Sequence, residues 1–161
     1  WTVSLISLAR SFLGTTLRTG RTAPITDTKM PDDTILSKIS WIQKRIDILR
    51  QILHLQTLKE RLEIEEMIRR VAAQYHVDVE LLLAVIKAES GLNPNAINRN
   101  RNGTTDYGLC QFNDYWYRDI ISPDVALDQP EVAVNTMCQM WEMGRQNDWI
   151  AYRNNSYIKY L

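Results

Sequence analysis

The stretch VELLLAVIKAESGLNPNAINRNRNGTTDYGLCQFN, Val79 to Asn113, decides the fold of this chain. Leu81, Leu82, Leu83, Ala84, Val85, Ile86 and Ala88 are apolar nearly all round a helix, the pattern of a helix buried at the centre of a domain. Asp78 is placed to cap its start, and Gly91 and Pro94 end it just past Ser90. Asn98 to Tyr107 is then polar, with Asn102-Gly103 in the middle. Asn-Gly marks a hairpin, because both residues tolerate positive φ. A central buried helix followed by one small β-hairpin is the expected nucleus of the fold.

Two carboxylates stand out in that nucleus. Glu89 lies in the last turn of the most apolar helix, where desolvation and the negative helix end both disfavour its charged form. A carboxyl whose pKa is raised can donate a proton near neutral pH. The alternative is a surface glutamate paired to Lys87 or to a distant Arg. Asp106 lies on the descending arm of the hairpin, among Asn98, Asn100, Asn102, Thr104 and Thr105. Such hydrogen-bonding neighbours favour an ionised carboxylate, although an Asp near Asn-Gly also stabilises turns. Two carboxylates in opposite environments are what glycoside cleavage requires: one protonates the leaving oxygen and the other faces the developing oxocarbenium centre. Tyr107, Tyr115, Trp116 and Tyr117 are close enough in sequence to stack on sugar rings, or to be ordinary core.

Working outward toward the N-terminus, residues 33–63 are expected to form one long amphipathic helix. Ile35, Ile39, Ile42, Ile46, Leu49 and Leu53 follow a 4-3-4-3-4 spacing along one stripe. Leu36, Ile48, Ile52, Leu55 and Leu62 widen it, and no Gly or Pro interrupts Asp32 to Ser90. The stripe calls for a covering: a second copy, another protein or the following domain. From Ile64 the pattern changes to a second amphipathic helix (Ile64, Met67, Ile68, Val71, Ala72) ending near Tyr75. Residues 1–30 hold ten Ser/Thr, four basic residues and one acid, Asp27. The chain begins with Trp1 rather than Met. Its apolar start, followed by Arg18 and Arg21, reads either as the end of a membrane or signal segment or as a loosely ordered arm.

Toward the C-terminus, Phe112 to Ile121 is aromatic-rich and stopped by Pro123. Asp128 and Glu131 around Pro130 resemble a capping box opening a helix that carries Val132, Ala133, Met137, Met140 and Trp141 to Gly144. Asp148 is placed to cap one more short helix through Arg153.

Composition narrows the function. The 161 residues carry 19 basic and 19 acidic side chains, are 45% apolar and include only two Cys. That excludes a disordered chain, a disulfide-stapled mini-protein and a bulk polycation for nucleic acid. The neutrality hides a split: residues 1–63 hold ten basic and six acidic side chains, net +4, and residues 64–161 hold nine and thirteen, net −4. His54 and His76 have no metal-ligand spacing, and no phosphate loop or nucleophile elbow occurs, so neither metal nor cofactor is expected. Cys110 and Cys138 are either buried thiols or a single disulfide.

The string from Glu89 to Asn113 resembles the active-site segment of the lysozyme superfamily. Asn98-Arg99-Asn100 and Thr105-Asp106-Tyr107-Gly108 are similar to c-type lysozymes, down to the separation of 17 between Glu89 and Asp106. Glu89-Ser90, Asn93-Pro94, Ala96 and Gly108-Leu109-x-Gln111 are similar to lytic transglycosylase (SLT) domains. A second match, Asn147 to Asn154, resembles the segment whose first Trp walls the catalytic acid. The resemblance covers residues 64–161. It implies a mainly α, lysozyme-like α+β fold in which Glu89 is the general acid and Asp106 the nucleophile or electrostatic stabiliser. Ser90, Asn100, Tyr107, Gln111, Asn113, Trp116, Trp149 and Ala151 would contact sugar or order the carboxylates. The departures are the absence of an eight-Cys framework, and Cys110 within the Gly-Leu-x-Gln motif.

Three segments are therefore expected: an arm (1–32), the long helix (33–63) and a lysozyme-like catalytic domain (64–161). The implied activity is cleavage of the β-1,4 bond between N-acetylmuramic acid and N-acetylglucosamine in peptidoglycan, by water or by intramolecular closure. The implied location is the cell envelope or a virion. A protein partner or self-association is expected through residues 33–63, membrane proximity through the arm, and no nucleic-acid partner. The competing expectation is a catalytically silent wall-binding or scaffold module.

Overall fold

A computed structural model describes residues 34–161; the N-terminal arm lies outside the described residues. One helix, α1, runs from Ile35 to Gln74 without interruption. The change of pattern at Ile64 is thus a change in what the helix touches and not a new element. Of its 40 residues only Ile68, Val71 and Ala72 are buried, and Ile35, Ile39, Ile42, Ile46, Leu49 and Leu53 are all exposed. Two compact units divide inside α1, at Arg50 and Gln51. Of the first, the described part is residues 34–50, helical from Ile35. The core, the sheet and the groove below belong to the second.

α2 spans Val79–Ser90 and is the central helix. The Asp78 side chain accepts the Leu81 N–H at 3.0 Å and caps its start. Gly91 ends it in the left-handed region at φ 65°, with its own N–H bonded to the Lys87 carbonyl. Leu82 to Ile86 are all buried. They pack with Ile68 and Val71 of α1, with Leu109 and Cys110, and with Val134, Met137 and Cys138 of a later helix. Burying a large aliphatic side chain contributes roughly 1.5–3 kcal/mol, so this helix is the main apolar investment of the domain.

Beyond α2 the chain forms β1 (Ile97–Arg99), β2 (Thr105–Tyr107) and β3 (Phe112–Asn113). The expected hairpin is present and is extended by β3 to a three-stranded antiparallel sheet. Asn98 faces Asp106 on one side, and Asp106 faces Asn113 on the other. The turn is longer than a two-residue Asn-Gly connection. Asn100 N–H bonds the Thr104 carbonyl at 2.8 Å, and of the Asn-Gly pair only Gly103 takes positive φ. Asn102 uses its side chain to accept the Thr104 N–H, and its own backbone stays out of the left-handed region.

The helical half also departs from expectation at its boundaries. Pro123 opens a helix, α3 (Pro123–Asp128), capped by the Ser122 hydroxyl. α4 spans Pro130–Glu142 and begins on its proline, with no side-chain cap. Pro is pre-organised for a first helical turn and lacks the N–H a cap would satisfy, so the Asp128/Glu131 box is not needed. Glu131 instead makes a two-pronged pair with Arg70, both bonds at 2.9 Å. A 3₁₀ turn (Gln146–Asp148) precedes α5 (Ile150–Arg153), and a second (Ser156–Tyr160) packs on α2. Asp148 does not cap α5; it holds Arg145 at 2.7–2.8 Å. Cys110 and Cys138 are both buried and unbonded to each other.

Gly108 fixes the sheet against α3. Its φ is +75°, and a Cβ there would lie 2.0 Å from the Ala126 carbonyl oxygen. Gly108→Ala is expected to destabilise the fold by about 2–4 kcal/mol, from left-handed strain plus backbone overlap. Denaturant unfolding measures it, and a loss under about 1 kcal/mol contradicts this packing.

Candidate active site

A groove of about 580 Å³ runs between the sheet and the C-terminal segment. Glu89, Asn100, Asp106, Gln111, Asn113, Trp116 and Trp149 line it, together with Arg101, Asn102, Thr104, Tyr117, Arg145, Asp148, Ile150 and Arg153. Both candidate carboxylates therefore share one cavity. Ser90, Tyr107 and Ala151 are not among the lining side chains. The Ser90 hydroxyl turns back to the Ile86 carbonyl at 3.2 Å. Tyr107 packs on the core beside Phe112. Ala151 contributes through its backbone.

Glu89 is half-buried at the end of α2. Its Oε1 accepts the Ala151 N–H at 2.8 Å, in the first turn of α5. Burial raises its pKa above the ordinary carboxylate value, and the charge of Asp106 adds to this. The Ala151 N–H and the Arg153 charge act in the opposite direction, and burial prevails. Lys87 is not its partner; it pairs with Glu65 at 2.9 Å.

Asp106 sits in a cage of amides. Its Oδ2 accepts from Asn100 Nδ2 at 2.9 Å and its Oδ1 from Asn113 Nδ2 at 2.7 Å. Asn113 Oδ1 accepts the backbone N–H groups of Tyr115 and Trp116, at 3.1 and 3.3 Å. That dictates which end of the Asn113 amide faces Asp106, since only its nitrogen is left to donate. Thr104 Oγ1 accepts from both amides and donates to Asn102 Oδ1. The carboxylate is thus held rather than free to rotate.

Gln111 lines the groove, yet its amide is engaged elsewhere. Nε2 donates to the Gly108 carbonyl at 2.7 Å, and Oε1 accepts from Asn98 at 2.6 Å. With φ at 55° it bends the chain from β2 into β3. Trp149 is 3% exposed, donates its ring N–H to the Cys110 carbonyl at 2.8 Å, and stacks near Tyr117. Burial pushes the Tyr117 hydroxyl up to about 12 and the Cys110 thiol well above its usual range, so both are neutral here. Trp116 is 70% exposed at the rim and packs edge-on against Tyr115. An exposed ring at the rim of a polar groove is suited to stacking on a sugar face. Among the described residues no cluster of three His, Cys, Asp or Glu is placed to hold a metal.

Arg101, Arg145 and Arg153 were missed by sequence reasoning. Arg145 lies just before the Asn147–Asn154 match and Arg153 lies within it, and that proximity was the available signal. Arg101 carries no signal of its own beyond its place in the loop.

Residues 66–139 match the family described as the transglycosylase SLT domain. Similar curated proteins include Protein IpgF of Shigella flexneri, 41% identical over 46 residues, which cover 29% of this chain and 30% of IpgF. Invasion protein IagB of Salmonella typhimurium is 36% identical over 64 residues, which cover 37% of this chain and 40% of IagB. The chain thus spans well under half the length of the curated relatives it matches. The family match includes both carboxylates and stops before Arg145–Arg153.

The raised pKa of Glu89 has a consequence for stability. The folded state binds this proton more tightly than the unfolded chain, so stability falls as pH rises from the ordinary value of 4.5 through the raised one. Glu89→Gln keeps an acceptor for the Ala151 N–H and removes the titration. At neutral pH the variant is expected to melt above the wild type, and the difference should vanish where Glu89 is protonated in both states. Equal melting temperatures across the whole range would contradict the burial of this carboxyl.

Proposed function

Since residues 66–139 are a transglycosylase SLT domain, of the lysozyme-like superfamily, we propose that the chain cleaves the β-1,4 bond between N-acetylmuramic acid and N-acetylglucosamine in peptidoglycan. The observation that carries this reading is the pairing, in one groove, of a desolvated carboxyl with an amide-caged one. Glu89 donates its proton to the glycosidic oxygen as the C1–O bond breaks, and the bonding electrons leave with that oxygen. Positive charge develops at C1 of the muramoyl ring, and Asp106 faces it with a fixed negative charge. Glu89, now a carboxylate, accepts a proton from the attacking hydroxyl. In the SLT reading that hydroxyl is the sugar's own C6 hydroxyl, which closes to a 1,6-anhydro end. Trp116 supports one sugar face, and Asn100, Asn113 and Gln111 keep the groove wall in register. The site of action is the cell envelope, and the purpose is local opening of the wall.

Hydrolysis is the second reading, because Asp106 gives the site a second carboxylate able to support attack by water. Mass analysis of sugars released from purified walls separates the two: anhydro-muramyl ends mean closure, reducing ends mean hydrolysis. Glu89→Gln is expected to lose about 10²–10⁴-fold in wall clearing, the usual contribution of a general acid. Asp106→Asn is expected to lose less. Equal clearing by wild type and Glu89→Gln would refute the enzymatic reading.

A further inference from the structure

α1 carries an apolar seam that nothing in the described structure covers. Ile35, Ile39, Ile42, Ile46, Leu49 and Leu53 recur at heptad a and d spacing, and each is exposed, from 37% at Ile46 to 77% at Ile35. The seam stops at Leu53, because its next two positions are Gln56 and Glu60. Apolar residues return to that face at Ile64, Met67, Ile68 and Val71, where α1 meets the core. The first segment is therefore separate from the helix's own packing.

Its flanks give the sign of the partner. Lys38 and Arg45 border the seam on one side and Arg50 on the other, with no acid beside it. The nearest acid, Asp47, lies off the seam and meets Arg50 at 3.2 Å with both side chains largely in water. Such a pair does little to neutralise the flank. A parallel second copy would set Arg45 against Arg50, and an antiparallel one with the seams overlapped Arg45 against Arg45, so self-pairing has only repulsive or neutral flank contacts. A membrane surface fits poorly too. Of the other exposed apolar residues, Leu36 and Ile52 border the seam while Leu55, Leu58 and Leu62 lie on the far side, so apolar side chains are spread round the helix instead of forming one broad face opposite a charged one.

We propose that residues 35–53 dock an amphipathic helix of another protein, one with an Ile/Leu seam and acidic residues at its flanking positions. Burial of the two seams supplies the attraction, and the acidic flanks select partner and register.

The test uses the full chain and two synthetic helical peptides with identical Ile/Leu seams, one flanked by Glu and one by Lys. The Glu peptide is expected to bind at least about tenfold more tightly, with an advantage that shrinks as salt rises. The triple variant Lys38→Glu/Arg45→Glu/Arg50→Glu changes only surface charge and is expected to reverse the preference. Its retained wall clearing would show that the catalytic unit is intact, and a failure of docking would leave the catalytic proposal standing. Three results would overturn the proposal: equal or absent binding of the two peptides, a stable dimer of the chain in sedimentation, or binding to anionic vesicles in place of the Glu peptide.

Discussion

The complete withdrawal of Leu82 to Ile86 from water constrains everything else in the domain. A helix apolar on every side can be satisfied only if other elements surround it, and α1, α4, the sheet and the C-terminal turn do so. Once α2 is enclosed, the direction of its last turn is set, and Glu89 emerges at the floor of the groove. The acid is partly desolvated because the core places it there. Its shifted proton affinity follows first from packing, and the nearby charge of Asp106 adds to it.

Asp106 is governed by the opposite logic. The sheet has few residues and little apolar area, so side-chain amides hold it together. Asn98, Asn100, Gln111 and Asn113 form bonds that close the turn, bend the chain between strands and grip the carboxylate. Cross-strand register makes this economical: Asn113 stands directly opposite Asp106, so one backbone pairing also delivers a side-chain donor. The same amides that stabilise a small sheet thereby aim the second carboxylate.

Much of this was legible in the chain. The buried helix, its Asp78 and Gly91 caps, and the hairpin follow from local pattern, because each depends on neighbours within a few residues. The convergence of Glu89 and Asp106 was readable only through resemblance to a known family. The boundaries that misled are those where tertiary partners decide. Glu131 is drawn to Arg70, 61 residues away, and Asp148 to Arg145, so neither serves the cap that its position suggests. β3 is two residues long and has no pattern of its own; the bend at Gln111 creates it. The unbroken run of α1 past Ile64 was hidden because periodicity reports what a helix faces and not where it ends.

The groove has two walls of different provenance. The sheet side lies within residues 66–139, whereas Arg145, Asp148, Trp149, Ile150 and Arg153 lie after them, and so does the N–H that Ala151 offers to Glu89. A buried bond from the Trp149 ring to the Cys110 carbonyl ties the tail to the residue just before the Gln111 bend, beside the packing of its last turn on α2. Proton affinity at the acid is thereby adjustable from outside the motif that carries it. Lengthening, shortening or recharging a dozen terminal residues would retune when Glu89 holds its proton, while every residue of the sheet and of α2 stayed the same.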